Sequence, residues 1–257
     1  MPPLPISVCM IAGNEAGRIR RALDSVAGWV MEIIVVTDDN VTDGTDQIAV
    51  ACGAKVFREP WTGPGVHRNF ASSKATAGWL LALDADEVVS PELHEEIRRA
   101  IAEPGDCAAF CFPRKTQFCG RWIRHGDWYP DRQTRLWRRG RGAWSCVVVH
   151  EKLEVDGPVG RLRSDLLHYN TETLDQQLAK ILRFSGGFVQ DAAANRQSAD
   201  WKDVVLRPAW RLVRAYFIRL GFLDGWQGGY IAWMTAFYTA TRYAKVRVAQ
   251  SAQCEKT

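Results

Sequence analysis

The stretch Leu81-Ala82-Leu83-Asp84-Ala85-Asp86-Glu87 is an apolar run that ends abruptly in three carboxylates. Residues 79–83 have the composition of a buried strand, so the acids belong to the loop at its C-terminal end. Asp84 and Asp86 are one residue apart. At a frayed strand end both can converge on one hard cation, whereas on a continuing strand they would merely share a face. A magnesium or manganese ion held by Asp84 and Asp86 keeps open positions for diphosphate oxygens and neutralises a leaving group. Taken alone, the pattern also fits a solvated acidic turn.

Upstream of this stretch, residues 6–12 form a short β-rich run followed by Asn14 and Glu15, and Ile19, Ala22, Leu23 and Val26 recur at helical spacing before Gly28. Residues 32–37 (EIIVVT) repeat the pattern, ending in Asp38-Asp39, with a helix near 43–52 and Gly53 as its C-cap. Residues 55–57 give a third short strand, and 67–77 a helix stopped by Gly78. Downstream, Ser90-Pro91-Glu92 opens a helix with Leu93, Ile97 and Ile101 on one face, Ser90 as N-cap and Pro91 in the first turn. Strands alternating with helices imply an α/β fold, a mostly parallel, Rossmann-like sheet flanked by helices. Ligands sit at the C-terminal strand ends of such sheets, where these acidic loops fall. Asn14, Glu15, Asp38 and Arg68 lie at that same end. Asp38 can accept hydrogen bonds from a base or ribose, and Arg68 can face a base or a phosphate.

The whole chain has 257 residues, of which 47% are hydrophobic, enough for one large core or two small ones and too much for a disordered or collagen-like class. A net charge of +4 is modest for this size, and nucleic acid is not expected as a partner. The seven cysteines include no C-x-x-C pair and read as reduced thiols of a cytosolic protein. Met1-Pro2-Pro3-Leu4-Pro5 does not resemble a signal peptide, so the catalytic part is expected in the cytoplasm.

Between residues 107 and 168 the texture changes to shorter β-like pieces rich in Arg, Trp and Gly, such as 134–138 and 146–150. Arg132, Arg135, Arg138 and Arg139 cluster there. Such a cluster suits phosphate groups near an acceptor channel, with Arg135 as the inward member. Trp122, Trp128, Trp137 and Trp144 can stack on sugar faces or pack into the core; Trp128 and His150 are candidates for the acceptor side. Residues 173–190 are helical by the spacing of Leu174, Leu178, Ile181 and Phe188. In the C-terminal segment Leu206, Trp210, Val213, Phe217 and Leu220 share one side of a helical wheel, and Arg207, Arg211 and Arg214 the adjacent one. A basic, aromatic, amphipathic helix favours an anionic membrane surface. Residues 225–241 carry no charge, but that run is shorter than the roughly 20 residues a bilayer span needs, so in-plane attachment is expected.

Residues 6–15, EIIVVTD with Thr42-Asp43-Gly44-Thr45, Gly53-Ala54-Lys55-Val56, His67-Arg68-Asn69-Phe70-Ala71 and LALDADE together resemble the family 2 inverting glycosyltransferases of GT-A fold. Within that family the likeness is to bacterial lipopolysaccharide core glycosyltransferases of the β-1,4-glucosyltransferase type. It continues through residues 125–131, 135–139, 149–151, 221–225 and 243–245. The resemblance implies a GT-A catalytic domain over residues 1–190, its donor half to about 105 and acceptor half 106–190, then a linker at 191–205 and a membrane-association segment at 206–257. It further implies a nucleotide-diphosphate sugar donor, a UDP-sugar, with Mg2+ or Mn2+, and a lipid-linked or lipopolysaccharide-core acceptor. The implied location is peripheral, on the cytoplasmic face of the inner membrane. On this chain Asp38 then matches a donor-base contact, Asp84 a ribose-side contact and Asp86 the principal metal ligand. The loop Asp38-Asp39-Asn40-Val41-Thr42-Asp43 departs from the Ser-Gly-Ser stretch more usual there.

Inversion requires one in-line displacement and hence one general base for the acceptor hydroxyl. Glu151, Asp131 and Asp127 are the candidates, Glu151 foremost because it follows the β-rich residues 147–149 and adjoins His150. His168 and Tyr169 can also line the site. Two alternatives compete: a haloacid-dehalogenase-like phosphatase with Asp84 as nucleophile, and a GT-A binding module without catalysis. No later apolar strand ends in the acidic pair that a phosphatase of that type needs. A dinucleotide-binding oxidoreductase is excluded, because residues 12–17 lack G-x-G-x-x-G and put Glu15 where a pyrophosphate would approach.

Overall fold

A computed structural model describes residues 2–146, 151–171, 173–194 and 198–254, which fall into two compact units, Met1–Arg114 with Asp131–His168 and Lys115–Pro130 with Tyr169–Thr257.

In the first unit β1 (Leu4–Ala12), α1 (Ile19–Asp24), β2 (Val30–Asp38), α2 (Thr45–Ala51), β3 (Lys55–Glu59), α3 (Pro64–Ser73) and β4 (Trp79–Ala82) alternate as the hydrophobic periodicity predicts. They are followed by β5 (Glu87–Val89), α4 (Pro91–Ala102) and β6 (Ala109–Phe118), whose last residues pair antiparallel with β7 (Arg121–Trp122). The first unit then resumes with β8 (Asp131–Arg138), β9 (Gly142–Trp144), β10 (Leu153–Val155), β11 (Val159–Arg161) and β12 (Leu166–Thr171). The sheet runs β3-β2-β1-β4-β8-β6-β12-β5. Its first four strands are parallel, each joined to the next by a helix. The expected parallel part is therefore present, but the sheet as a whole is mixed: β8 runs antiparallel to β4 and to β6, and β12 antiparallel to β5. β6 and β8 are joined without a crossover α-helix, which suits their antiparallel pairing, while β11 pairs parallel with β6.

Alternation along the strands divides the core between the two faces of the sheet. Ile6, Val8, Met10, Val35, Leu81 and Leu83 pack against Ile19 and Leu23 of α1 and Leu93 and Ile97 of α4. Cys9, Ile34, Val36, Leu80 and Ala82 face Ala71 of α3 with Trp137 and Trp144. Ser90 caps α4 by accepting from the Leu93 N–H at 3.1 Å, with Pro91 in the first turn, as its sequence requires. Helix α3 starts and ends earlier than 67–77. Gly63 adopts φ +122° and Pro64 follows it at the first helical position, while Lys74 already closes the helix.

Glu32 on β2 ties the parallel strands together. It accepts from Ser7 Oγ at 2.6 Å, from the Thr76 N–H and hydroxyl at 2.7 Å each, and pairs with Lys55 at 2.7 Å. Burial by itself would raise its pKa; Lys55, Ser7 and Thr76 outweigh that and lower it from 4.5 to about 2. A carboxylate with a depressed folded-state pKa adds stability that is present above pH 4.5 and is lost as pH falls toward 2. Glu32→Gln is therefore expected to cost about 2–3 kcal/mol at neutral pH, with the gap to wild type closing between pH 4.5 and 2. Urea midpoints measured across that range check this; a gap independent of pH would assign the acid sensitivity to other groups.

The second unit holds the 115–130 insertion, α5 (Leu174–Ala194), α6 (Trp201–Val213) and α7 (Gly225–Cys254). Asp200 and Asp203 form a capping box at the start of α6, which runs on as a π-turn over Arg214–Ile218 and a 3-10 turn over Gly221–Asp224. Phe118, Ile123 and Ile231 form its small core, with Trp128 and Tyr230 against them. The compact units do not follow the expected boundary at 190. Helix α5 packs on α7, where Phe188 meets Tyr243 edge-on at 5.5 Å and Lys245 donates to Ser185 at 2.7 Å. Residues 191–205, read as a linker, include the end of α5 and the start of α6. No helix of the described residues is long and apolar enough to cross a membrane.

Candidate active site

β4 ends at Ala82, and the chain turns at once: the Glu87 N–H donates to the Asp84 carbonyl at 3.0 Å, and the Asp84 N–H to Glu87 Oε2 at 3.0 Å. This turn sends the two aspartates of D-A-D to different partners. Asp84 accepts from Arg68 at 2.6 Å on one oxygen and from Arg135 at 2.8 Å on the other. Burial would raise its pKa, but Arg135 and Arg68 hold the carboxyl well below the usual carboxylate range. Burial likewise opposes the charge on Arg135, and Asp84 and Glu87 more than restore it. Both oxygens of Asp84 are thus engaged by guanidiniums.

Asp86 sits differently. Its carboxylate is 3.5 Å from His168 Nε2, on β12, and 3.9 Å from Arg18. Arg18 also pairs with Glu15 at 2.6 Å. Burial, and then the neighbouring Asp86 and Asp43, raise the Glu15 pKa against the opposing effect of Arg18. Asn14 and Glu15 are laced to the loop after β2: the Thr42 N–H donates to Asn14 Oδ1 at 3.1 Å, the Glu15 N–H to Thr45 Oγ1 at 2.8 Å, and the Ala16 N–H to Asp43 at 2.9 Å. Asp38 closes its own turn, accepting from the Asn40 N–H at 3.3 Å and side chain at 3.2 Å. The unusual sequence of this loop therefore builds an Asx-type turn with Asn40, and Asp43 takes over the bracing.

Among the candidate bases, Glu151 faces the arginine that pairs with Asp84. Its carboxylate is 3.7 Å from Arg68 Nε, and Arg68 is the side chain that holds Asp84. Residues 144–145 are anchored on α3: Asn69 bonds the Trp144 N–H and carbonyl at 2.8 Å each, and a Cβ on Gly65 would meet the Ser145 carbonyl at 2.2 Å. Asp131 is bound by Arg114 through two hydrogen bonds of 2.7 and 2.9 Å, and by Gln133. Asp127 lies in the second unit, paired there with Arg211 at 3.1 Å and Arg214 at 2.9 Å. Trp128 is also in that unit, edge-on to Phe118 at 5.6 Å. His150, with the β-rich residues 147–149, lies outside the described residues.

Further side chains join these residues. Glu87 is fully buried and pairs with Arg114 at 3.3 Å and Arg135 at 3.4 Å. Trp144 supplies an aromatic floor, 4.8 Å from the Arg68 guanidinium and 5.7 Å from that of Arg135. Arg132, Arg138 and Arg139 instead donate to backbone carbonyls, which leaves Arg135 as the inward arginine. Glu87 closes the acidic stretch that follows residues 81–83, whereas the only sequence signal for Arg114 is a charge next to apolar strand residues.

The donor set fits a cation completed by its ligand. Among the ion-paired side chains, Glu15, Asp84, Asp86, Glu87, Asp131 and Glu151 face four arginines, so negative charge is in excess. Among the described residues no three His, Cys, Asp or Glu side chains gather as a closed metal site. Asp86 with His168 is the available pair, and magnesium commonly takes one or two protein ligands with substrate phosphates. At the same place Arg68 Nε and Nη1 and Arg135 Nε are buried without a hydrogen-bond partner among the described residues. Buried cationic N–H groups left unpaired are costly, and a phosphate oxygen satisfies them.

Residues 7–153 match the family described as Glycosyl transferase family 2. An uncharacterized glycosyltransferase of Rickettsia bellii is 30% identical over 94% of this chain and 86% of its own. The lipopolysaccharide core biosynthesis glycosyltransferase LpsC of Rhizobium meliloti is 25% identical over 95% of both chains. Among solved structures, S. aureus TarS 1-349 in complex with UDP-GlcNAc has the same fold at a TM-score of 0.51, with 15% identity over 98% of this chain and 92% of that one.

Proposed function

The chain belongs to glycosyl transferase family 2 and is a nucleotide-sugar transferase, and from that premise we propose that it moves a hexose from a UDP-hexose to a lipopolysaccharide-core or other lipid-linked saccharide, with inversion. The observation that carries this reading is Arg68, which bonds Asp84 and faces Glu151 and so ties donor-side carboxylate and acceptor-side base to one guanidinium. The likeness to LpsC along nearly the whole of both chains supports the acceptor class. Asp38, at the end of β2, suits the imide N–H of uracil.

In the proposed step Glu151 takes the proton of the acceptor hydroxyl as its oxygen bonds the anomeric carbon. The bond from that carbon to the diphosphate oxygen breaks on the opposite side, and UDP leaves with the electron pair. The spare N–H groups of Arg68 and Arg135 stabilise charge as it builds on the diphosphate. Asp86 and His168 would hold a magnesium or manganese ion, whose chemistry is to neutralise that leaving group. Asp84 aims the two arginines. A phosphatase would need Asp84 as a free nucleophile, and both its oxygens are engaged. We place the protein at the cytoplasmic face of the inner membrane, held in plane by the helices after residue 205, a reading compatible with the lack of a spanning helix among the described residues.

Proton NMR of the new glycosidic linkage tests this, using α-linked UDP-hexoses with lipopolysaccharide-core saccharides as acceptors. A β-linked product is expected. An α-linked product would overturn the single displacement, and UDP binding without transfer to any saccharide would favour the binding-module reading.

A further inference from the structure

In the second unit one continuous segment leaves large apolar side chains in solvent. Leu206, Trp210, Val213, Phe217 and Leu220 follow one side of α6 and its π-turn, and all are exposed, Trp210 to 58% and Phe217 to 60%. The other side packs on α7, with Ala215 buried. Contiguous apolar surface of this kind marks an interaction site rather than ordinary exposure.

The tip of the segment is rigid. Leu220 adopts φ +57°, a left-handed conformation that disfavours a branched side chain, yet its side chain is exposed. A Cβ on Gly221 would meet the Ala215 carbonyl at 2.6 Å, and one on Gly228 the Gly221 carbonyl at 1.9 Å. Asp224 is buried and accepts from the Arg124 and His125 N–H groups at 2.9 and 2.7 Å. Backbone packing and one buried carboxylate thus hold the turn, while Phe217, Ile218, Phe222 and Leu223 stay exposed.

Cations rim this surface. Arg211, Arg214 and Arg219 gather on Asp127 at 3.1, 2.9 and 3.9 Å, three guanidiniums on one carboxylate, so positive charge is left over. Each of the three keeps about a third or more of its side chain in solvent. Arg207 is answered by Asp203.

We propose that this face docks on a membrane of anionic lipid, the turn around residues 217–223 entering the headgroup layer and Arg211, Arg214 and Arg219 meeting lipid phosphates. Asp127 is then a positioning residue that gathers the arginines. A second copy of the chain is the less suitable occupant, because a two-fold contact through this face would bring like charges together. Tryptophan beside arginine and aliphatic side chains is the composition that partitions into an anionic interface. The inference rests on the membrane placement proposed above, and not on the transfer chemistry.

The test is flotation of the full chain with phosphatidylcholine vesicles, with and without phosphatidylglycerol, alongside sedimentation velocity and UDP titration. Wild type is expected to float with the anionic vesicles and to be released by salt. Arg211→Gln with Arg214→Gln should weaken that partitioning about tenfold or more, and Phe217→Glu with Ile218→Glu should abolish it, both with UDP affinity unchanged. Equal flotation of wild type on neutral and anionic vesicles, or no effect of either pair, overturns the proposal. A wild-type dimer that the Phe217→Glu, Ile218→Glu pair converts to monomer, with no vesicle binding, assigns the face to a second copy instead. Should that pair fail to bind UDP or to fold, the arginine pair still decides. Failure of UDP to bind wild type would count against the transferase reading and leave the vesicle result readable.

Discussion

Asp86→Ala is expected to lower transfer by about 10³-fold, the scale of losing the main stabilisation of a charged leaving group, while the protein stays folded. Asp86 is the cleaner substitution of the D-A-D pair because its ion pairs are longer, His168 at 3.5 Å and Arg18 at 3.9 Å. Asp84→Ala would instead leave Arg68 and Arg135 buried without the carboxylate that balances them, which costs about 3–5 kcal/mol when one partner of a buried pair is removed. The two variants therefore separate by thermal unfolding: Asp86→Ala near wild type, Asp84→Ala strongly destabilised. Full turnover in Asp86→Ala would remove the leaving-group role from this residue.

Glu151→Gln is expected to lower transfer by about 10²–10⁴-fold, the usual contribution of a positioned general base, with UDP affinity unchanged. The amide keeps the shape of the side chain and its place beside Arg68 but cannot take a proton. Steady-state kinetics with UDP-hexose, together with UDP titration, read the two effects separately. Retained transfer would move the base to Asp131 or Asp127. Both are already committed, Asp131 to Arg114 and Asp127 to arginines of the second unit, so each would first have to give up an ion pair.

The parallel half of the sheet was legible because each strand and helix there carries its own period and its own stop signal. Gly53 and the Ser90-Pro91 cap mark element ends without help from tertiary structure. The antiparallel half was not, since β6 and β8 carry Arg114, Lys115, Arg132 and Arg135 within strand positions and break the apolar alternation. Those same charges build the site. Arg135 is buried because Asp84 and Glu87 receive it, a long-range fact that local sequence does not encode. The Gly63-Pro64 start of α3 was readable and outranks the apolar spacing that suggested a later helix.

For the candidate site, residue types at strand ends pointed to loops at the C-terminal ends of the parallel strands, where Asn14, Asp38 and Asp84 lie, and Glu151 was read from its place after residues 147–149 and beside His150. The pairing of Asp84 with Arg68 and Arg135 was hidden, because it depends on long-range contacts and a tight turn closed by Glu87. The apolar stripe of α6 was visible as a period of side chains. The pairing of its arginines with Asp127 was not, since Asp127 lies 84 residues from Arg211 along the chain.

The measurement that tests the account most directly is calorimetric titration of wild type and Asp86→Ala with UDP, each with and without manganese. Wild type should bind UDP more tightly with the metal, and Asp86→Ala should lose that metal-dependent gain while keeping the weaker, metal-independent binding. UDP binding that ignores manganese in wild type, or a manganese effect that survives Asp86→Ala, would contradict a donor diphosphate held through a cation on Asp86.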